Sequence, residues 1–560
     1  MKKLIITMTL FIRTSLFTLL LFLIGNTSVN AQITSCNTNS SFVFTPTTQT
    51  KVIEWDKFPA FSLPFKIVYN GPRFGDTQRK PLQHGFSHLA TFNNDFDLPF
   101  ENRAIIMYGT GNADGKQPWE TIRSPWGNNM NAYYSKWGEY LNIYGDLFRE
   151  TAGQKKINAD LFMIDIERQW KTNDSILILK NHTLTPKNFQ ALDNQSFLVQ
   201  YKKDLQALYA EPVGFFKKNS LSNNTKISSY ADTPIGNTFV NIIGNNWQKW
   251  KSDASLLNYL TYDFSKNTIG GSFYNSLDYL TPSAYYYYDY PNPFASDYLA
   301  YLLFQVEVNR AWSSKPIIPF IWLKYSTGDW NNPPVFAKKF LKPWMIEATA
   351  IFPFFSGANG LWVWEDPTTF GDPIVYDGYE RFINALYRLS NYKDMFTGSY
   401  ELIIETPARN YFDTPKPIWR GVAKGNEVLI VAHNPYAKSE TELSQVTVSY
   451  KNWSQTLTLK GYEVFLCKYD RSVQATENQY IIDAITLYPN PSSEFLSIDF
   501  VATKAAQTTL SMSNSIGQNI LQEEIEVLAG KNTKTLKINT LPNGKYFIRI
   551  GNAVKSFVKE

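Results

Sequence analysis

Residues 161–170 read LFMIDIERQW. The apolar run Leu161 to Ile164 has the length and composition of a strand buried on both faces. Two acids, Asp165 and Glu167, follow it two residues apart. Burying an uncompensated carboxylate is costly, so the pair is either neutralised by a base such as Arg168, wet, or put to use. At spacing i, i+2 both side chains leave the same side of the strand, about 6–7 Å apart along it. What surrounds this run decides the fold.

Upstream, PFKIVYNG and RAIIMYGTG are strand-like, and Tyr134, Trp137, Leu141, Tyr144 and Phe148 then recur with helical spacing. Downstream, TKISSYADTP, DYLTPSAYYYY, KPIIPFIWLKY and GLWVWED read as strands. Helical patterns lie among them in SDYLAYLLFQVEVNRAW, FAKKFLKPWMIEATAIF and GYERFINALYRLSNY. Strand–helix alternation over residues 32–398, with an N-terminal extension, predicts an α/β domain of parallel strands. A (β/α)8 TIM-type barrel suits that length best. An open doubly wound sheet is the alternative, without a Gly-rich phosphate loop to favour it.

Residues 399–470 alternate apolar and polar positions in GNEVLIVAHNP, SQVTVSYKNW and GYEVFLCKYD, which predicts a β-sandwich accessory domain. Residues 471–484 read as a linker. Residues 485–560 carry short alternating strands separated by Pro and Asn-Gly turns, a second small sandwich. That tail has Tyr488-Pro489-Asn490-Pro491, NSIGQ at 514–518, and Leu541 with Gly544-Lys545-Tyr546 near its end. It resembles the C-terminal sorting domain of the type IX secretion system. The resemblance implies transport across the outer membrane of a Gram-negative cell, with that machinery as partner, to a secreted or surface-held state.

The N-terminus agrees. Lys2 and Lys3 precede an apolar run from Leu16 to Ile24, and Val29-Asn30-Ala31 has the small residues of a cleavage site, so residues 1–31 read as a signal peptide. The mature chain has no other segment apolar enough to span a bilayer. Removing Lys2, Lys3 and Arg13 lowers the formal charge from +5 to +2. A near-neutral chain gives no electrostatic reason to bind nucleic acid. Cys36 and Cys467, the two cysteines, either pair across the mature chain or remain free.

At the carboxyl end of a parallel strand, Asp165 and Glu167 stand where a barrel builds its active site. A like charge nearby and a partly apolar site both raise a carboxyl pKa, and a protonated acid near neutral pH is what cleavage of a glycosidic bond requires. Aromatic residues stand at other strand ends: Tyr230 in SSYADTP, Tyr285 in SAYYYYDY, Trp362 and Trp364 in LWVWED. With 34 Tyr and 15 Trp in the chain, many of these rings are bound to pack under helices, but strand-end rings beside acids suit a polysaccharide. A glycosidase with acid and nucleophile on separate strands would need a second acid. Glu365, Asp366 and Asp289 are available, and Glu347 lies in a helical run. His84 and His88 have a ligand-like i, i+4 spacing, but without a helix or neighbouring acid they read as core or loop histidines; no metal and no cofactor are expected.

Taken in order, MIDIERQW, YLTPSAYY, KPIIPFIWLKY and EATAIFPFFSGANGLWVWED resemble the hyaluronidase-type and, more broadly, Asp-x-Glu glycoside hydrolases. The resemblance implies a substrate-assisted reaction on an N-acetylhexosamine. Glu167 would be general acid and then base, Asp165 would orient the acetamido group, Tyr285 and Tyr230 would bind its carbonyl, and Trp362 would line the sugar subsite. Chitinase-type barrels place a further Asp four residues before the Glu; here that position is Met163, and Asp160 falls seven before. From another functional class, a glycan-binding protein with an inactive barrel would keep the aromatic groove and pair off the acids.

Overall fold

The computed structural model describes residues 42–46, 53–71, 79–90, 95–111, 124–166, 171–236, 239–326, 340–364, 377–471, 482–503, 505–515, 519–551 and 553–560. The signal segment, Cys36, Glu167, Arg168, Glu365, Asp366, linker residues 472–481 and the last three residues of NSIGQ lie outside the described residues. The chain divides into two compact units, Met1–Tyr469 and Asp470–Glu560.

The first unit is mixed α/β. Its short strands are β1 (Lys66–Tyr69), β2 (His88–Leu89), β3 (Ala104–Met107), β4 (Leu161–Ile164), β5 (Lys226–Ser229), the small antiparallel pair β6 (Tyr262–Asp263) and β7 (Thr268–Ile269), then β8 (Phe320–Trp322) and β9 (Gly360–Trp364). Parallel pairing runs in the order β2-β1-β9-β8 and β3-β4-β5. Single parallel bridges continue it, from Leu89 to Arg103, from Tyr230 to Thr281, and from Leu280 and Ser283 to Ile317 and Phe320. The expected strand in DYLTPSAYYYY is therefore held only by bridges. Pro282 has no N–H for a ladder, although its carbonyl accepts from Phe320 N at 2.9 Å.

Period-two alternation sorts these strands into two cores. Val68, Ala104, Leu161, Met163, Phe320 and Trp362 share one small cluster on the inner face. Ile67, Tyr69, Phe162, Ile164, Leu361 and Val363 face the large outer core. Strands apolar on both faces are what parallel pairing under helices requires. The covering helices include Met130–Gly145, Asn194–Lys218, Tyr298–Trp312, Pro343–Phe355 and Asp377–Ser390. Asn129 and Asp193 cap the first two by accepting from Ala132 N and Ser196 N. The apolar stripe of the first runs through Tyr133, Trp137, Leu141 and Tyr144, whereas Tyr134 turns outward and donates to Glu211 Oε2 at 2.6 Å.

Residues 401–470 form an antiparallel sheet of β10 (Glu401–Ile403), β11 (Ile418–Lys424), β12 (Glu427–His433) and β15 (Val464–Asp470), in that order, with β13 (Leu443–Tyr450) and β14 (Trp453–Lys460) pairing separately. One face encloses its own core, with Trp419, Ile430, Trp453, Leu459 and Cys467. The other puts Ile418, Val422, Leu429, Val431 and Leu466 into the large core beneath the α/β helices. A buried ion pair joins the two parts: Arg420 and Glu307 meet at 2.8 Å with side chains 0% and 3% exposed. Cys467 is disulfide-bonded.

The second unit is built of strands. Strands β16 (Ile482–Tyr488), β17 (Phe495–Ala502) and β20 (Gly530–Lys537) form one antiparallel sheet. The other consists of β18 (Ala506–Asn514), β19 (Asn519–Val527), β21 (Gly544–Ile550) and β22 (Ala553–Lys559). Ile498, Leu510, Ile548 and Phe557 are buried between them. Among the described residues of the chain, no helix is long and apolar enough to cross a membrane.

Candidate active site at the strand ends

The alternation that sorts the two cores also aims the strand ends. Asp165 is two residues beyond Met163, so it emerges on the inner face, as do Tyr108 beyond Ile106, Tyr230 beyond Ser228, Tyr285 beyond Ser283 and Trp364 beyond Trp362. These five side chains line one cavity of about 80 Å³. Ile106, Met163 and Phe320, from the strands themselves, complete its lining. Asp165 is partly exposed, and its N–H donates to Met107 O at 3.0 Å, which carries the parallel pairing of β3 and β4 one residue further.

The two tyrosines face each other. Their ring centroids are 6.1 Å apart at an interplanar angle of 32°, and the Tyr230 hydroxyl donates to Ser283 Oγ at 2.9 Å. Burial first, then the charge of and hydrogen bond to Tyr230 and the carboxylate of Asp165, hold the Tyr285 phenol well above its ordinary range. Tyr285 therefore remains a neutral O–H donor beside Asp165. Trp364 and Tyr108 also line the cavity, with ring centroids 5.6 Å apart.

Trp362 does not join them. It is 0% exposed and stacks on Phe320 at 5.1 Å and 12°, one layer below the cavity. The register explains this: Trp362 pairs with Val68 and Phe320 within the sheet, while Trp364 pairs with Trp322 at its rim. Conversely, Tyr108 lines the cavity without having been singled out by sequence reasoning. Its only sequence signal is the apolar run AIIM directly before it, the same context that marks Asp165.

The other acids sort clearly. Asp289 is buried, accepts from the Tyr325 hydroxyl at 2.7 Å and lies 3.5 Å from Lys342 Nζ. Glu347 lies within Pro343–Phe355, 3.3 Å from Arg388. His84 is a core histidine between the carbonyls of Lys80 (2.7 Å) and Phe58 (3.3 Å). His88 is buried as well, with Nε2 2.9 Å from Asp160 Oδ2 and Nδ1 2.7 Å from Ser87 Oγ, while Lys66 also pairs with Asp160. His88 thus has the acid neighbour that the sequence reading lacked, but the pair sits at the opposite, amino-terminal end of the strands. Among the described residues no cluster of His, Cys, Asp and Glu is able to hold a metal ion.

Residues 486–560 match the family model of the secretion system C-terminal sorting domain. The chain therefore carries a sorting tail that engages type IX machinery, which indicates a secreted or cell-surface protein. No curated protein sequence matches the chain. Among solved structures it is similar to bee venom hyaluronidase, at 14% identity over 58% of this chain and 99% of that one, with a TM-score of 0.35. A chitinase of Rhizomucor miehei is 12% identical over 60% of this chain and 95% of its own, with a TM-score of 0.27. An endoxylanase from Clostridium papyrosolvens is 12% identical over 75% and 72%, with a TM-score of 0.22. Likeness at this level decides nothing about activity.

Proposed function

We propose that the chain is a secreted glycoside hydrolase that cleaves an N-acetylhexosamine-containing polysaccharide with help from the substrate's own acetamido group. The succession of parallel pairs and bridges is read as a (β/α)8 barrel with its active site at the strand carboxyl ends. The observation that carries the proposal is the inner-face cavity in which Asp165 stands beside the paired hydroxyls of Tyr230 and Tyr285. At about 80 Å³ it is well below the ~300–1,000 Å³ of typical ligand pockets. That size suits one polar substituent held under a sugar ring rather than the ring itself.

In this reading the acetamido group enters the cavity. Its carbonyl oxygen attacks the anomeric carbon while Glu167 donates its proton to the departing glycosidic oxygen. Asp165 accepts from the acetamido N–H and offsets the positive charge of the oxazolinium ion that forms. Glu167, now a carboxylate, takes a proton from water, which opens the ring and regenerates the substituent. Tyr285, kept neutral, donates to the acetamido oxygen; Tyr230 and Ser283 fix its position. Trp364 and Tyr108 offer ring faces to sugar C–H groups. A carboxylate nucleophile at Asp289 is disfavoured by its burial and its contacts with Tyr325 and Lys342.

The test is reducing-end release from a panel of glycans by the secreted chain and by its Glu167→Gln variant. Activity confined to N-acetylhexosamine polymers, and lost by at least about 10³-fold in the variant, supports the proposal. Activity only on glycans without acetamido groups rejects it.

A further inference from the structure

A second opening lies at the other end of the strands. It is a groove of about 830 Å³, large enough for several sugar units, between the α/β part and the edge strand β10 of the sandwich. Residues 313–315, Gly357 and Asn359 contribute to it; they lead into the 317–322 stretch and into β9, so the groove is at the amino ends of these strands, away from Asp165.

The polar side chains around the groove are mostly hydrogen-bond donors, Arg310, Ser313, Ser314, Lys315, Asn359 and Tyr400, beside the apolar Leu402 and Ile404. Arg310 uses one terminal nitrogen on Ser356 O at 2.8 Å, and its guanidinium is laid flat over Gly357. A Cβ at Gly357 would come within 2.4 Å of that guanidinium carbon, and the positive φ of 93° there also favours glycine. Lys315 Nζ donates to Leu277 O at 2.5 Å. Among the described residues neither cation has a carboxylate within ion-pair distance. Asn359 spends its carbonyl oxygen on Ile317 N at 2.9 Å, and among the described residues its amide N–H groups have no acceptor. Glu401, the one acid among the described lining residues, is already matched by the Tyr450 hydroxyl at 2.5 Å and Lys451 at 3.6 Å. Tyr400, 38% exposed, presents a ring that is braced edge-on by Phe396.

We propose that this groove is a second glycan-binding site, selective for a saccharide segment that carries carboxylate or sulfate groups. Arg310, with most of its guanidinium donors left over, and Lys315, whose charge Asp278 and the Tyr274 ring offset only in part, favour an anion, because spare cationic donors are satisfied by charged oxygens. Tyr400 supplies the flat apolar face on which a sugar ring packs. That the occupant is a glycan rests on the proposed function; its negative charge does not. The site would hold a polymer on the enzyme independently of the Asp165 cavity.

The experiment is native gel electrophoresis of the full chain through gels containing polygalacturonate, dextran sulfate, poly-glutamate or neutral galactomannan, at low and raised salt. Retardation by polygalacturonate alone assigns carboxylate, and by dextran sulfate alone, sulfate. Either should fade as salt rises. The double variant Arg310→Gln/Lys315→Gln should weaken retention at least about tenfold, Tyr400→Ala should weaken it without a charge change, and Asp165→Asn should leave it intact. Unchanged melting temperatures show that the variants fold. The proposal is overturned by equal retention on galactomannan, by no retention on either anionic glycan, by wild-type retention in the double variant, or by retention on poly-glutamate that Tyr400→Ala does not alter. Retention without hydrolysis of acetylated polymers would reject the proposed activity and leave the groove standing. Hydrolysis without retention would remove the groove alone.

Discussion

The buried pair Glu307–Arg420 makes the first sandwich part of the α/β unit rather than an appended module, and this can be measured. Glu307 Oε1 accepts from Arg420 at 2.8 and 3.0 Å and from Ser356 Oγ at 2.8 Å, while its Oε2 accepts from Ala408 N at 2.7 Å. Glu307→Gln preserves the shape but leaves the 0%-exposed Arg420 side chain without a counter-charge. Breaking one side of a fully buried ion pair costs about 3–5 kcal/mol. Glu307→Gln/Arg420→Met removes the stranded charge and should recover part of that, with a coupling of roughly 1–3 kcal/mol. Every tryptophan precedes Asp470, so tryptophan fluorescence in urea follows the first unit without interference from the sorting tail. A single transition shifted by the single variant and partly restored by the double is expected. A loss under about 1 kcal/mol, or two separate transitions in the parent chain, would refute a shared core.

Other consequences are as direct. Trp362→Ala should cost about 3–5 kcal/mol as a large-to-small change in the inner core, whereas Trp364→Ala should leave stability near the parent value and raise KM for glycan; melting curves with initial-rate kinetics separate the two. Burial lowers the His88 pKa despite the opposing hydrogen bond to Asp160. The unfolded chain therefore binds the extra proton first, and stability falls as pH drops below about 6.5. His88→Asn should flatten the melting temperature between pH 7.5 and 5. Burial raises Asp297 to about 6, outweighing the hydrogen bond from Tyr436, so its contribution is lost as pH rises from about 4 to 6. Asp297→Asn should then raise the melting temperature at pH 7.5 more than at pH 4.5.

How much of this was legible beforehand differs by residue. LFMI had to be a strand buried on both faces, and Asp165 two residues beyond Met163 had to share its face, because side-chain period needs no tertiary knowledge. The two tryptophans of LWVW share a face by the same rule, yet only Trp364 reaches the cavity. Which of them stands at the rim depends on the stagger against β8 and β1, and no local pattern encodes that register. Tyr108 was missed for the same reason: it lies beside Asp165 only because Met107 pairs with Ile164. The ion pair between Glu307 and Arg420 was equally hidden. Each charge interrupts an apolar element, in YLLFQVEVNR and PIWRGV, but the partners are 113 positions apart.

The central claim is that the substrate's acetamido group performs the displacement under the control of Asp165. The measurement that meets it most directly is the hydrolysis rate on matched N-acetylated and N-deacetylated hexosamine polymers, for the parent chain and for Asp165→Asn. Cleavage of the acetylated polymer alone, with kcat reduced about 10²–10⁴-fold by Asp165→Asn, is the predicted result. Equal cleavage of both polymers, or full activity in Asp165→Asn, would contradict it.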